Sequence, residues 1–212
     1  MAEEYVTRGW QVRATVRGTA RTGLHDLAES ADDRLTVEEN VDITVPEQMA
    51  ALRGQVAGTA FDLLFVNAGI TNGNVPFTDV PTETFTQVMV TNALCPMRVV
   101  ETFQDLVTPA GTIGVMSSRQ GSLTLNDNAG NEVYRASKSA LNQLMRSFAA
   151  RHRDDRRTLL LISPGWVRTD LAGPSAALSI DESIPRVVDV IGKHDGAGGL
   201  HFLDYLNRTV PW

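Results

Sequence analysis

The chain has 212 residues, of which 42% are hydrophobic, and this is enough to build the core of one well-packed domain. Its 19 basic and 25 acidic residues give a formal net charge of −6 with no basic tract, which argues against nucleic acid or an anionic membrane as partner. No run approaches the ~20 apolar residues of a membrane span, and the first residues do not have the shape of a signal peptide. We therefore expect a single cytoplasmic domain over residues 1–212 that acts on a small molecule.

In chain order, short apolar runs bounded by Gly, Pro or Asn alternate with longer amphipathic stretches, which predicts an α/β fold with a parallel sheet. The chain opens on what reads as the second half of a helix that leads into the first strand. Strands are predicted at residues 11–17, 35–42, 61–69, 111–118, 158–165 and 199–205. Helices are predicted at residues 46–56, 81–107, 134–151 and 181–191.

One pair of residues points to proton-transfer chemistry. Tyr134 precedes Lys138 by four positions at the start of a predicted helix, so the two side chains project from one face. A phenol has a pKa near ~10, which is too high for a proton relay at neutral pH, and a neighbouring ammonium favours the phenolate. The spacing therefore suits an acid and the group that adjusts its pKa.

Other chemistry-bearing residue types are sparse. Cys95, the one cysteine, lies among apolar neighbours and is interpreted as core rather than as a nucleophile. The four histidines are far apart and none has a metal-ligand spacing, so we expect no metal site. Gly192, Gly196 and Gly198 have the spacing of a phosphate-binding turn, but they follow a helix and precede a strand, which favours a plain loop.

Polar residues gather where the predicted strands end, which is where open α/β sheets bind ligands. In order, the segments NAG (67–69), SSRQG (117–121), YRASK (134–138) and PGWVRTD (164–170) resemble motifs of the short-chain dehydrogenase/reductase family. The chain is most similar to C-factor-like and carbonyl-reductase-like members of that family, over nearly its whole length. The resemblance implies a Rossmann-like doubly wound parallel sheet and an oxidoreductase that transfers hydride between NADP(H) and a carbonyl or alcohol substrate.

The resemblance also implies roles for four candidate catalytic residues. Tyr134 would give a proton to the substrate carbonyl oxygen, Lys138 would lower the tyrosine pKa and bind the nicotinamide ribose, and Ser118 would hydrogen-bond the same substrate oxygen. Asn92 would interrupt its helix and hold a water that links Lys138 to solvent. Two plainer interpretations stay open, in which Ser118 merely ends its strand and Asn92 is a satisfied buried amide.

For the cofactor, the family places an aspartate at the end of the strand that corresponds to the first predicted strand here, 11–17, when it binds NAD, and a basic residue when it binds NADP. Arg17 holds that position here, so NADP(H) is favoured over NAD(H), although a solvated arginine is the plainer alternative. The resemblance implies that the remaining cofactor contacts come from Asp42, Ile43, Asn67, Ala68, Gly69, Pro164, Gly165, Val167 and Thr169, together with Tyr134 and Lys138.

The sequence departs from the family pattern at its start, where the first strand and its Gly-x-x-x-Gly-x-Gly turn are absent. We expect this to impair cofactor binding, since that turn supplies amides to the pyrophosphate. A second hypothesis is therefore kept, in which the chain is a non-redox member that serves as a binding or regulatory scaffold, or a cofactor-independent acid/base catalyst. The loops at 70–79, 122–131 and 171–183 are expected to shape the substrate pocket. The resemblance implies a homodimer or tetramer, paired through the helices at 81–107 and 134–151.

Overall fold

The computed structural model describes residues 1–212, and these form two compact units, Met1–Ala57 and Gly58–Trp212. Each unit has its own parallel sheet and its own helices. The α/β class predicted from the alternation of apolar runs is therefore confirmed. The expectation of one domain over residues 1–212 stays a prediction.

The first unit contains a two-stranded parallel sheet with three helices. Its elements in order are α1 (Ala2–Thr7), β1 (Val12–Thr15), α2 (Gly23–Glu29), β2 (Leu35–Glu38) and α3 (Pro46–Gln55). Strand β1 pairs with β2 from Val12 opposite Leu35 to Thr15 opposite Glu38. Alternate residues of β1 are half-buried, and a small cluster around Val6, Ala31 and Leu35 forms the core of this unit.

The second unit contains a four-stranded parallel sheet in the order β3-β4-β5-β6. Its strands are β3 (Phe61–Val66), β4 (Val107–Met116), β5 (Thr158–Ser163) and β6 (Gly199–Asp204). Its α-helices are α4 (Thr82–Met89), α5 (Cys95–Phe103), α6 (Glu132–Arg151) and α7 (Ile180–Lys193). No helix of the structure combines the length and the apolar character that crossing a membrane requires.

The core of the second unit lies between this sheet and the helices α5 and α6. All six residues of β5 are buried, as expected for a central parallel strand that is covered on both faces. Their apolar side chains pack with Phe148 of α6 and Val100 of α5, both of which have no exposed surface. This rigid centre positions the ends of β3, β4 and β5, which follow one another at the same edge of the sheet.

The predicted helix at 81–107 is wrong in detail, because the structure interrupts it. Residues Val90–Leu94 form a π-helical turn between α4 and α5, and Pro96 is the second residue after it. Proline has no N–H and its ring crowds the carbonyl four residues earlier. Pro96 therefore cannot donate the helical hydrogen bond to the Asn92 carbonyl, and the α-helical pattern is broken there. The predicted helix also ends too late, since Val107 already begins β4.

The helix α2 was missed by the sequence analysis. It is short, none of its residues is fully buried, and its start at Gly23 is stabilised by the Thr22 and His25 side chains in a reciprocal cap. Such a segment has little apolar periodicity to reveal it. Gly196 and Gly198 lie in the loop between α7 and β6, with φ of 68° at each, so their interpretation as a plain loop is confirmed. Gly192 lies within α7 rather than after it.

Candidate active site

The site is built around the end of β4, where Ser117 and Ser118 follow the last residue of the strand. Ser117 is buried, and its hydroxyl donates to Asn142 Oδ1 of α6 at 2.6 Å. Ser118 is half-buried, and its Oγ accepts a hydrogen bond from the backbone N–H of Gln120 at 3.1 Å. A serine hydroxyl has one donor and two acceptor positions, so Ser118 keeps a donor and an acceptor for another partner.

That partner is Tyr134, in the first turn of α6. The structure brings the Tyr134 hydroxyl close enough to Ser118 for a hydrogen bond that lowers the pKa of the phenol. Burial acts in the opposite direction and is the larger effect, so the pKa of Tyr134 is raised above its ordinary value. The two residues therefore meet as expected, although the phenol is less acidic than a free tyrosine.

Lys138 lies one turn further along α6 and is 3% exposed. Its Nζ donates to the backbone oxygen of Met116 at 2.8 Å and lies 5.8 Å from the centroid of the Tyr134 ring. Burial lowers the pKa of Lys138 to about 8, because the ammonium has lost most of its water. The spacing correctly placed the two side chains on one face.

Lowering of the tyrosine pKa by Lys138 stays a prediction. Burial is the largest effect on the pKa of Tyr134, and the hydrogen bond with Ser118 opposes it. One desolvated environment weakens the ionised form of both groups, so it raises the pKa of the phenol and lowers that of the ammonium.

Asn92 lies in the π-helical turn and has no exposed surface, so the expected interruption of the helix is present. Its Nδ2 donates to Ile70 O at 2.8 Å and to Ser137 Oγ at 2.9 Å, and its Oδ1 accepts from the Ile70 N–H at 2.8 Å. These bonds join the segment after β3 to α6, next to Lys138. The geometry agrees with the plainer interpretation of a satisfied buried amide, and a role for Asn92 in holding water stays a prediction.

The segment after β3 passes directly over these groups. Asn67 and Ala68 are exposed, whereas Gly69 is half-buried. A Cβ at Gly69 would lie 3.4 Å from Lys138 Nζ and 3.5 Å from Asn92 Oδ1, so the glycine leaves open the space in front of the ammonium. This segment and α6 therefore form two sides of one site.

The residues after β5 form a separate part of the same edge of the sheet. Pro164 and Gly165 are half-buried, and Val167 is buried and pairs with Leu178 in an isolated parallel bridge. Thr169 is exposed, and its hydroxyl donates to Val167 O at 3.3 Å. The proposed cofactor contacts of these residues stay predictions.

The first unit contains the other three predicted cofactor residues. Arg17 follows β1, is exposed and makes no hydrogen bond or ion pair with another residue, so its guanidinium is available to an anion. Asp42 accepts two hydrogen bonds from Thr44, and these lower the pKa of the carboxyl, with a smaller contribution from the charge of Arg17. Ile43 is half-buried beside it. Arg17 and Asp42 thus lie near each other within this unit.

Asn142 was not anticipated from the sequence, whereas its partner Gly121 belongs to the predicted SSRQG motif. Asn142 Nδ2 donates to Gly121 O at 3.1 Å, while its Oδ1 accepts from Ser117. A Cβ at Gly121 would lie 2.9 Å from the backbone carbon and the Cβ of Lys138, so only glycine lets the segment after β4 lie against α6. Asn142 is four residues beyond Lys138, and that helical spacing was the signal that could have revealed it.

The residues present fit a nicotinamide cofactor at this edge. The Lys138 ammonium has three donors and one protein acceptor, Met116 O, which leaves two donors for ribose hydroxyls. Gly69 adds no side chain in front of it. Among the described residues 1–212, no group of three or more His, Cys, Asp or Glu side chains is arranged to hold a metal ion.

Comparisons with known proteins agree with this geometry. A family model described as enoyl-(acyl carrier protein) reductase matches residues 1–186. The chain is 33% identical over 171 residues to the C-signal protein of Myxococcus xanthus. This alignment covers 77% of this chain and 100% of that protein. It is 32% identical over 154 residues to a 1-hydroxy-2-glutathionyl-2-methyl-3-butene dehydrogenase of Rhodococcus, covering 70% of this chain and 66% of that enzyme.

Solved structures with the same fold include two that contain NADP. A chain from Burkholderia multivorans, named as a short-chain dehydrogenase/reductase with bound NADP, is 54% identical and superposes with a TM-score of 0.97, covering 100% of this chain and 92% of that one. A carbonyl reductase of Pseudomonas aeruginosa PAO1 in complex with NADP is 34% identical, with a TM-score of 0.91 and the same coverage of both chains. The chain therefore belongs to the short-chain dehydrogenase/reductase family and is one of its NAD(P)-dependent enzymes.

Proposed function

We propose that the protein transfers hydride between NADP(H) and a carbonyl or alcohol substrate, with Tyr134 as proton donor and acceptor. The observation that carries this proposal is the arrangement of three polar groups at one edge of the sheet. The phenol of Tyr134 is within hydrogen-bonding reach of Ser118, and the Lys138 ammonium lies 5.8 Å from the phenol ring. These are the groups needed to move a proton to an oxygen that gains charge.

In the reducing direction, the cofactor supplies the hydride to the carbonyl carbon. Tyr134 donates its proton to the carbonyl oxygen, and Ser118 donates a hydrogen bond to the same oxygen as it becomes negative. Lys138 holds the ribose hydroxyls through the two ammonium hydrogens that Met116 O does not use. In the oxidising direction, Tyr134 takes the proton from the alcohol.

Burial keeps Tyr134 in its protonated form, although it also makes the phenol a weaker acid. A raised pKa keeps the phenol protonated at neutral pH, which is the form that reduction requires. Positive charge on an oxidised nicotinamide bound beside Tyr134 would favour the phenolate, which is the form that oxidation requires. Reduction by the protein is therefore favoured at neutral pH, and oxidation at alkaline pH.

The preference for NADP(H) over NAD(H) rests on Arg17. Its guanidinium is exposed, and guanidinium binds a phosphate through two parallel hydrogen bonds. Two of the similar solved structures are described with NADP.

The test is to incubate the 212-residue protein with NADPH or NADH and a panel of aldehydes and ketones, and to follow the loss of reduced-cofactor absorbance. The proposal expects turnover with at least one carbonyl compound and faster turnover with NADPH than with NADH. A folded protein that consumes neither cofactor would contradict it and would favour the second hypothesis, a binding scaffold or a cofactor-independent acid/base catalyst.

A further inference from the structure

The helix that carries Tyr134 begins in an unusual way. Its first residue is Glu132, and the preceding Asn131 has a φ of 52° and a ψ of 34°, in the left-handed region. The residue at this position normally has an extended backbone and accepts a hydrogen bond with its side chain, but the Asn131 side chain makes no such bond. Gly130 also has a positive φ, of 97°. The turn into α6 therefore needs support from elsewhere.

Arg135 supplies part of this support from within the helix. Its Nε donates to the backbone oxygen of Gly130 at 2.7 Å, and its Nη1 donates to Asn126 Oδ1 at 2.6 Å. The guanidinium thus reaches back over the first turn and ties two points of the 122–131 loop to α6. Hydrogen bonds from a charged donor are stronger than neutral ones, so this contact is a firm one.

Asn74, in the loop after β3, supplies the other support for the turn into α6. Its Oδ1 accepts a hydrogen bond from the Asn131 backbone N–H at 3.1 Å. A Cβ at Gly130 would lie 2.8 Å from the same oxygen, so the approach is possible only because residue 130 is glycine. The loops at 70–79 and 122–131, both expected to shape the pocket, are therefore joined three residues before Tyr134.

We propose that Arg135 and Asn74 are positioning residues for Tyr134, because they hold Gly130 and Asn131 in the left-handed turn from which α6 begins. Tyr134 is the third residue of that helix, so an unravelled first turn would move the phenol away from Ser118. Misplacement of a reacting group by about 1 Å can cost about 100-fold in rate. The proposal rests on the proposed function in one respect, since it takes Tyr134 as the proton donor.

The test follows Tyr134 directly, with no cofactor or substrate present. The chain has three tyrosines, so protein labelled with a carbon isotope at tyrosine Cζ gives few resonances, and their titration by NMR reports each phenol pKa. Burial is the main cause of the raised pKa of Tyr134, so loosening the turn should lower that pKa toward its ordinary value. We expect a fall of about half a unit or more in both Asn74→Ala and Arg135→Ala.

Steady-state kinetics provide the second readout. Both variants should show kcat for carbonyl reduction lowered by about tenfold, with the KM for NADPH changed by less than about twofold. Arg135→Lys should recover part of kcat, because a lysine can still donate to Gly130 O but not to Asn126 at the same time. Arg151→Ala is the matched control, since it removes an exposed ion pair with Glu101 from the last turn of the same helix.

An unchanged Tyr134 pKa in both alanine variants overturns the proposal, whether or not the variants lose thermal stability. If Arg135→Ala does not fold, Asn74→Ala carries the test, because it removes the other contact and leaves the helix sequence intact. If the wild-type protein turns over neither cofactor, the proposed function fails, and the titration alone decides whether these residues position the phenol.

Discussion

The buried Lys138 ammonium should make the protein less stable than a variant with an apolar side chain of the same length at this position. The side chain is 3% exposed, and burial has lowered its pKa to about 8 from an ordinary 10.5. The folded state therefore binds this proton less tightly than the unfolded state does. At neutral pH, where both states are protonated, this difference lowers the free energy of unfolding. Lys138→Met keeps the length of the side chain and removes the charge, so it should stabilise the fold while abolishing turnover.

The size of the effect follows from the two pKa values. Each pKa unit corresponds to about 1.4 kcal/mol, so a change from 10.5 to about 8 corresponds to about 3 kcal/mol at pH values where both states are protonated. Loss of the hydrogen bond to Met116 O offsets about 1 kcal/mol of this. We expect the free energy of unfolding of Lys138→Met to exceed that of the wild type by about 2 kcal/mol at pH 7.

The pH dependence has a definite sign. Below about pH 8, Lys138 is protonated in both the folded and the unfolded state, and the free energy of unfolding of the wild type is lowered by the full amount. Between about 8 and 10.5 the folded state releases the proton first, so the stability of the wild type rises with pH relative to the variant. The advantage of Lys138→Met should therefore shrink steadily over this range.

The assay is urea unfolding of wild type and variant at several pH values, compared at each pH so that other titrating groups cancel. Lys193→Met is the matched control, because the chain has one other lysine and that one is exposed. The control should leave the free energy of unfolding within about 0.5 kcal/mol at every pH. A Lys138→Met protein that is less stable than wild type at pH 7, or a difference that does not vary with pH, would refute the reasoning.

Three further predictions concern Ser118, Arg17 and the subunit contact. Ser118→Ala removes the hydrogen bond that lowers the pKa of Tyr134, so alcohol oxidation should need a higher pH and kcat should fall by about 10- to 100-fold, measured as a pH–rate profile. Arg17→Glu should raise the KM for NADPH by about tenfold or more and change that for NADH far less, and an equal rise for both would count against the phosphate contact. Leu144 is 39% exposed on α6, so Leu144→Glu should shift the expected dimer toward monomer in light scattering, whereas Leu206→Glu should not.

Much of the fold was predictable because local pattern and tertiary context agree. Strand β5 has four consecutive apolar residues at its centre, 159–162, and all six of its residues are buried between layers. The Tyr134–Lys138 spacing correctly predicted a shared face on one helix, since helical geometry alone decides it. Cys95, interpreted as core, is fully buried.

The rest depends on contacts that the sequence does not encode locally. Burial determines the direction in which the pKa of Tyr134 shifts from its ordinary value, and spacing along a helix carries no information about burial. Asn92 finds its partners 22 and 45 residues away, at Ile70 and Ser137. The contact between Asn74 and Asn131 spans 57 residues and joins two loops without periodic pattern. Such pairs are visible only once the sheet has brought the loops together.

The most direct test of the central claim is the rate of NADPH consumption with a reactive aldehyde by wild type and by Tyr134→Phe, with Tyr205→Phe as the control. The account predicts that loss of the Tyr134 hydroxyl lowers kcat by about 1000-fold, while the control retains the wild-type rate within about twofold. If Tyr134→Phe consumes NADPH as fast as the wild type, the phenol is not the proton donor and the account is contradicted.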